Sequence, residues 1–166
     1  MDSDVCSVAA LNGHLDVLKW TRENGGEWDH RVCRYAASEG YFEILKWAHS
    51  NGCPWDEYVC SNAALGGHLE ILKWARENNC PWKHNFVTNA VLKGHLDILK
   101  WIIENGYPWN DSIIYYNATK GGHLEILKWF LSYKGKWIPA FCYCVRNNAK
   151  TSGHLHILDW MNENNL

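Results

Sequence analysis

The sequence predicts an all-α solenoid: six helix-turn-helix units stacked in a row, joined by short loops with little or no β-hairpin. Three observations predict it. Gly-His or Gly-Tyr pairs begin at Gly13, Gly40, Gly67, Gly94, Gly122 and Gly153, in steps of 27, 27, 27, 28 and 31 residues. Seven residues after each glycine stands a tryptophan, at Trp20, Trp47, Trp74, Trp101, Trp129 and Trp160. Eight residues further a second one follows in five copies, at Trp28, Trp55, Trp82, Trp109 and Trp137, and the two sets account for all 11 tryptophans. The 166 residues therefore read as one domain of six copies, approximately 2–28, 29–55, 56–82, 83–109, 110–137 and 138–166.

Residues 56–82, DEYVCSNAALGGHLEILKWARENNCPW, are the clearest copy. A first helix starts at Asp56, whose carboxylate is placed to accept from a free amide of the first turn. Asp2, Asp29 and Asp111 hold the same place, whereas Lys83 and Cys142 do not and are expected to leave their helices uncapped. Small pairs, Ala9-Ala10, Ala36-Ala37 and Ala63-Ala64, come near the end of this helix and allow a neighbouring backbone close. Gly67 and its equivalents then supply a left-handed turn. A second helix follows from about His68, with Leu69, Ile71, Leu72 and Ala75 on one face. Asn24-Gly25, Asn51-Gly52 and Asn105-Gly106 stop it, and Cys-Pro-Trp at 53–55 and 80–82 makes the link to the next copy, since proline cannot continue a helix.

A pair of helices this short cannot bury its apolar faces alone, so copies must cover one another. Each indole can bury roughly 150–250 Å². The first tryptophan of each copy is expected between helix pairs, and the second, held beside proline in the loop, over the end of the neighbouring unit.

Composition narrows the function. Hydrophobic residues are 47% and charged residues 20% of the chain, which is the balance of a folded protein. The formal charge of −2 lacks the surplus of Lys and Arg that binding nucleic acid requires. No apolar run approaches the roughly 20 residues of a membrane span, and MDSDVCSVAA has neither the basic nor the apolar region of an export signal. The seven cysteines are accordingly expected to be reduced thiols in an intracellular, cytoplasmic and monomeric protein.

Gly-His-Leu-Glu-Ile-Leu-Lys at 67–73, with Ala63-Ala64 before it and Asn78 after it, resembles the second half of an ankyrin repeat, and the resemblance recurs in all six copies. It is most similar to the short, tryptophan-rich ankyrin-like repeats of large DNA viruses and some protists. The resemblance implies an α-solenoid whose inner helices and loops form a concave surface for protein partners. Two features depart from the usual pattern. The copies are shorter than the standard unit of about 33 residues, and Tyr58, Val59, Cys60 and Ser61 stand where a Thr-Pro-Leu-His stretch is usual. The missing length falls where ankyrin repeats carry a β-hairpin finger, so tight loops with little strand are expected.

The recurring cysteines, histidines and lysines read as packing rather than chemistry. Cys6, Cys33 and Cys60 recur at one repeat position and Cys53 and Cys80 at another. Ladders at one-repeat spacing, roughly 10 Å, cannot place four ligands around one zinc ion, and free cysteine packs as a small hydrophobe. His14, His68, His95, His123 and His154 form a row, where catalysis needs a single constellation. They are expected to hydrogen-bond between neighbouring turns. Lysines in the second helix follow acids by three residues, which largely cancels them as a phosphate-binding stripe. No catalytic residue, cofactor or metal ligand is assigned.

Positions that differ between copies carry the remaining information. Arg31, Arg34 and Tyr35 in copy two correspond to Tyr58, Ser61 and Asn62 in copy three, Asn85, Thr88 and Asn89 in copy four, and Ile113, Tyr116 and Asn117 in copy five. Aromatic and arginine side chains suit interface anchors, so these twelve residues are the expected surface for an unidentified protein partner. The reading is a non-catalytic protein-binding scaffold. Two alternatives remain at this point. One is a metal protein or enzyme built around the divergent last copy, with Cys142, Cys144, His154, His156 and Asp159. The other is a substrate adaptor for an assembly such as a ubiquitin ligase.

Overall fold

The computed structural model describes residues 3–81, 85–135 and 139–166, with the side chains of Asn85 and Ala140 excepted. Twelve α-helices and no strand occur among these residues. The backbone groups into two compact units, Met1–Phe86 and Val87–Leu166.

The first unit holds three helix pairs: α1 (Ser3–Leu11) with α2 (Leu15–Glu23), α3 (His30–Glu39) with α4 (Phe42–Ser50), and α5 (Glu57–Gly66) with α6 (Leu69–Glu77). Helix α3 lies between α1 and α5, and each of the three packs on the second helix of its own pair. The alanine pairs make this closeness possible: Ala36, Ala37, Ala63 and Ala64 are wholly buried in the row of first helices. Leu18, Leu45 and Leu72 fill the equivalent core site of the second helices. Asp29 and Asp56 cap as expected, accepting from the amides of Arg31 and Tyr58 at 2.8 and 3.1 Å.

Two adjacent glycines shape the turn between α5 and α6, each for its own reason. Gly67 has φ of +82°, a conformation that costs any residue with a Cβ. Gly66, one residue earlier, lies so near the preceding helix that a Cβ there would stand 2.3 Å from the Ser38 carbonyl oxygen. At the far end of each second helix the asparagine does more than interrupt. Its carboxamide donates 2.8 Å to the carbonyl four residues back, as with Asn24 to Trp20, Asn51 to Trp47 and Asn78 to Trp74, adding a second bond to a carbonyl that already accepts the asparagine's own amide.

The second unit repeats the plan with α8 (Leu96–Glu104), α9 (Asp111–Gly121), α10 (Leu124–Lys134), α11 (Pro139–Thr151) and α12 (Leu155–Glu163), preceded by α7 (Asn85–Lys93), which begins at the unit boundary. Helix α9 packs on α10 and α11, and α11 on α12. Two helix starts differ from the expected ones. The cap of α9 is Asn110, whose side chain accepts from Ser112 N at 2.7 Å, so Asp111 falls inside the first turn and pairs with Lys134 at 3.0 Å. Helix α11 begins at Pro139 rather than Cys142, because proline is at ease in a first turn, where no amide is needed.

The tryptophans require a larger correction. None of those described belongs to the buried core; Trp20 is 55% exposed and the others are half-buried. Alanine-spaced helices leave room for Leu, Ile and Cys between them, not for an indole, so the rings sit along the flank. There the second tryptophan of one copy meets the first of the next, edge to face: Trp28 with Trp47 at 5.5 Å and Trp55 with Trp74 at 5.6 Å. In the second unit Trp109 meets Phe130 and Tyr133 in the same way, at 5.4 and 6.3 Å. The expectations at Asp2, Lys83, Trp82, Trp137 and the Asn85 side chain lie outside the described residues.

Candidate protein-binding surface

The helices present eleven of the twelve predicted residues in three distinct ways, the side chain of Asn85 lying outside the described residues. One group ties neighbouring copies together. Arg31 donates to Asp4 at 2.6 Å, to Ser3 at 3.0 Å and to Asp29 at 2.9 Å, joining α1 to the start of α3. Arg34 grips the carboxylate of Asp56 through its Nε and Nη2, the Nε bond being 3.0 Å, and its guanidinium lies 4.3 Å above the Tyr58 ring. Asp56 caps α5, so Arg34 holds the next copy's cap in place. Asn62 donates back to the Arg34 carbonyl at 3.3 Å.

A second group is turned inward. Ser61 is buried and bonds the Glu57 carbonyl at 3.3 Å, and Asn117 is buried and donates 2.8 Å to the Ile113 carbonyl. Neither offers a polar group to a partner. Tyr35, Thr88, Asn89 and Ile113 are half-buried. The third group stands out: Tyr58 is 43% and Tyr116 is 50% exposed. Tyr143 on α11, absent from the prediction, is 75% exposed.

Between α9 and α11 the second unit has a pocket of about 190 Å³, lined by Tyr115, Tyr116, Phe141, Cys144 and Val145, with Ser112 and Asn148 at its polar edge. Tyr115 replaces the small cysteine of earlier copies, and its ring meets Phe141 at 4.5 Å and Phe130 at 5.2 Å. Burial, with the Asp111 charge, pushes its phenol up to about 12. This pocket was not among the sequence expectations; the replacement of Cys by Tyr at this repeat position is the signal that could have found it.

The histidine row is a set of rungs. Nε2 of His68, His123 and His154 donates to the carbonyls of Ser38, Leu92 and Lys120 at 3.0, 2.7 and 3.0 Å, each near the end of the preceding first helix. A carbonyl only accepts, so the ring proton is on Nε2. His156 similarly reaches Gly122 at 2.9 Å. Both imidazoles of the last copy are thereby engaged with backbone, and no group of three or more potential metal ligands occurs among the described residues.

The cysteine positions treated as separate ladders meet within a copy. Cys33 lies beside Cys53 and Cys60 beside Cys80, all four as free, buried thiols. Cys53 and Cys80 also lie 3.4 Å from the carbonyls of Asp29 and Asp56. The neighbouring thiol, together with burial, pushes Cys33 and Cys60 far up, so both stay neutral and pack as core. The acid–base row in the second helices is also realised: Lys46–Glu43, Lys73–Glu70 and Lys128–Glu125 pair at 2.6 to 2.9 Å.

Residues 87–131 match the family model of ankyrin repeats (many copies). Among solved structures, the human ASB11 ankyrin repeat domain superposes with a TM-score of 0.64 over 77% of this chain and 68% of that one, at 17% identity. The chain has the ankyrin-repeat fold. At this identity the likeness speaks for the fold alone. No curated protein matches the chain. Ankyrin repeats are in general protein-interaction scaffolds, and no helix among the described residues is long and apolar enough to cross a membrane.

Proposed function

We propose that this protein is a non-catalytic scaffold that captures a protein partner on its first-helix surface. The observation that carries the reading is the division of labour among repeat positions. The alanine, leucine and isoleucine positions that recur from copy to copy form the buried interior, and His68, His123 and His154 bond backbone, whereas Tyr58, Tyr116 and Tyr143 project from first helices at positions that vary between copies. Aromatic rings supply contact area at low entropic cost. Stacked helix pairs fix the backbone before binding, which lowers the ordering cost of association. Arg31 and Arg34 contribute by holding the helix starts in register, and Tyr35 lines the same surface. The short copies and the tryptophan spacing support the finer kinship with the tryptophan-rich repeats of large DNA viruses and protists, and an intracellular setting accords with the neutral buried thiols.

The test is affinity capture followed by mass spectrometry with wild type, Tyr58→Ala and Tyr116→Ala. A protein recovered in stoichiometric amount by wild type should fall at least about tenfold with one or both variants, while their melting temperatures stay within about 2 °C of wild type, as expected for exposed substitutions. Equal recovery by all three chains overturns the surface. Failure of wild type to recover any protein stoichiometrically overturns the scaffold reading.

A further inference from the structure

The face of α1 and α2 that points away from α3 is built like a repeat interface, and it is uncovered. Val5 is 40% exposed, whereas its repeat equivalents Val32, Val59, Ile114 and Val145 are buried. Val17 is also 40% exposed, against the buried Ile44, Ile71, Ile98, Ile126 and Ile157. Val8 adds a further apolar side chain, 55% exposed, where the later copies carry Tyr or Asn. Together with Ala9, Asp4 and His14 these residues line a shallow hollow of about 370 Å³. His14 holds the place from which His68, His123 and His154 each reach a carbonyl of the preceding first helix. Trp20 holds the place at which Trp47 and Trp74 meet the last tryptophan of the copy before them.

We propose that this face seats one further helix pair of the same repeat type. The occupant has small residues on its first helix, an open carbonyl at that helix's end for His14, and a tryptophan after its second helix for Trp20. Three independent features require that partner: an apolar floor at the two positions buried in every later copy, an imidazole at the rung position, and an indole at the flank. A second copy of this chain fits poorly. Helices α11 and α12 expose Asn147, Lys150, Asp159, Asn162 and Glu163, a polar set against an apolar floor.

The experiment places a duplicate of residues 29–55 directly before Asp2, so that its closing tryptophan meets the first helix as Trp55 meets Asp56. Hydrogen exchange of residues 3–23 is then measured in the extended and unextended chains. Docking should slow exchange in that segment by about tenfold or more and raise the thermal midpoint. The double substitution Val5→Asp and Val17→Asp should abolish both gains in the extended chain, while leaving the midpoint of the unextended chain unchanged. Unaltered exchange on extension overturns the proposal. So does concentration-dependent pairing of the unextended chain in sedimentation that the same double substitution removes, because that result assigns the face to a second copy.

Discussion

Asp56 links three interactions in one side chain: it caps α5, it accepts from Arg34, and through Arg34 it meets the Tyr58 ring. Burial pulls its carboxyl up, but the bonds from Arg34 and from the Tyr58 amide outweigh this and hold it below the ordinary carboxylate value. Asp29 is held low as well, chiefly by its hydrogen bond with Arg31. A carboxyl with a lower pKa folded than unfolded stabilises the fold fully above its unfolded pKa of about 3.9, and that contribution is lost as pH falls through the folded value. The thermal midpoint should therefore hold between pH 7 and about pH 5 and fall below about pH 4. Asp56→Asn should melt below wild type at neutral pH, and the gap should close on acidification. Parallel melting curves for the two proteins across that range would show that the charge plays no part. At the opposite helix end, Asn79 has φ of +59° where Gly25, Gly52 and Gly106 stand in sister copies. A Cβ at Gly25 or Gly52 meets nothing within 4 Å, so the cost at this site is conformational rather than steric. Asn79→Gly should raise stability by about 0.5–1 kcal/mol in urea unfolding; a loss would mean that the asparagine side chain has a bonding role there.

Between elements, the distance of closest approach decides the design. Helix α5 comes near enough to α3 for His68 to reach the Ser38 carbonyl, and a Cβ on Gly66 would stand 2.3 Å from that same oxygen. Gly66→Ala should push the helices apart and cost about 1–3 kcal/mol, the usual penalty for overpacking. His68→Ala should cost about 1–2 kcal/mol by leaving a carbonyl without its donor. The double variant should cost less than the sum of the two, because displacement of the helix has already broken the rung; strict additivity would show that the contacts are independent. The periodic pattern made these elements readable: Gly-His marks the turn, Ala-Ala the close approach, and Asp the start at α3 and α5. It misplaced what depends on local alternatives. Asn110 can cap as well as Asp111, and Pro139 starts a helix earlier than Cys142 would, so neither boundary follows from the repeat register alone. The binding surface was only partly legible. Arg34 and Tyr58 were both picked as variable, yet their mutual contact and the Asp56 pairing depend on side-chain directions across copies, which repeat alignment does not contain.

At the scale of a whole unit, the stack is held by its small and aliphatic interior, with the indoles as an outer lacing. Tryptophan count drew attention to the right period but to the wrong place for the core, because ring size excludes an indole from a gap that alanine pairs have closed. The two classes of residue should therefore differ in proportion to burial. Leu45→Ala removes a wholly buried side chain and should cost about 2–5 kcal/mol. Trp20→Ala, at 55% exposed, should cost less than about 1 kcal/mol despite removing more atoms. Since each helix pair of the first unit is stabilised chiefly by its immediate neighbours, the Leu45 lesion should not stay local. Helix α3 touches both α1 and α5, so loss of its partner α4 loosens the support on either side. Hydrogen exchange in Leu45→Ala should quicken across residues 3–23 and 57–77 as well as in copy two, whereas Trp20→Ala should quicken it only in residues 3–23. If the Trp20 variant proves the more costly of the two, the indole lacing rather than the aliphatic interior holds the stack.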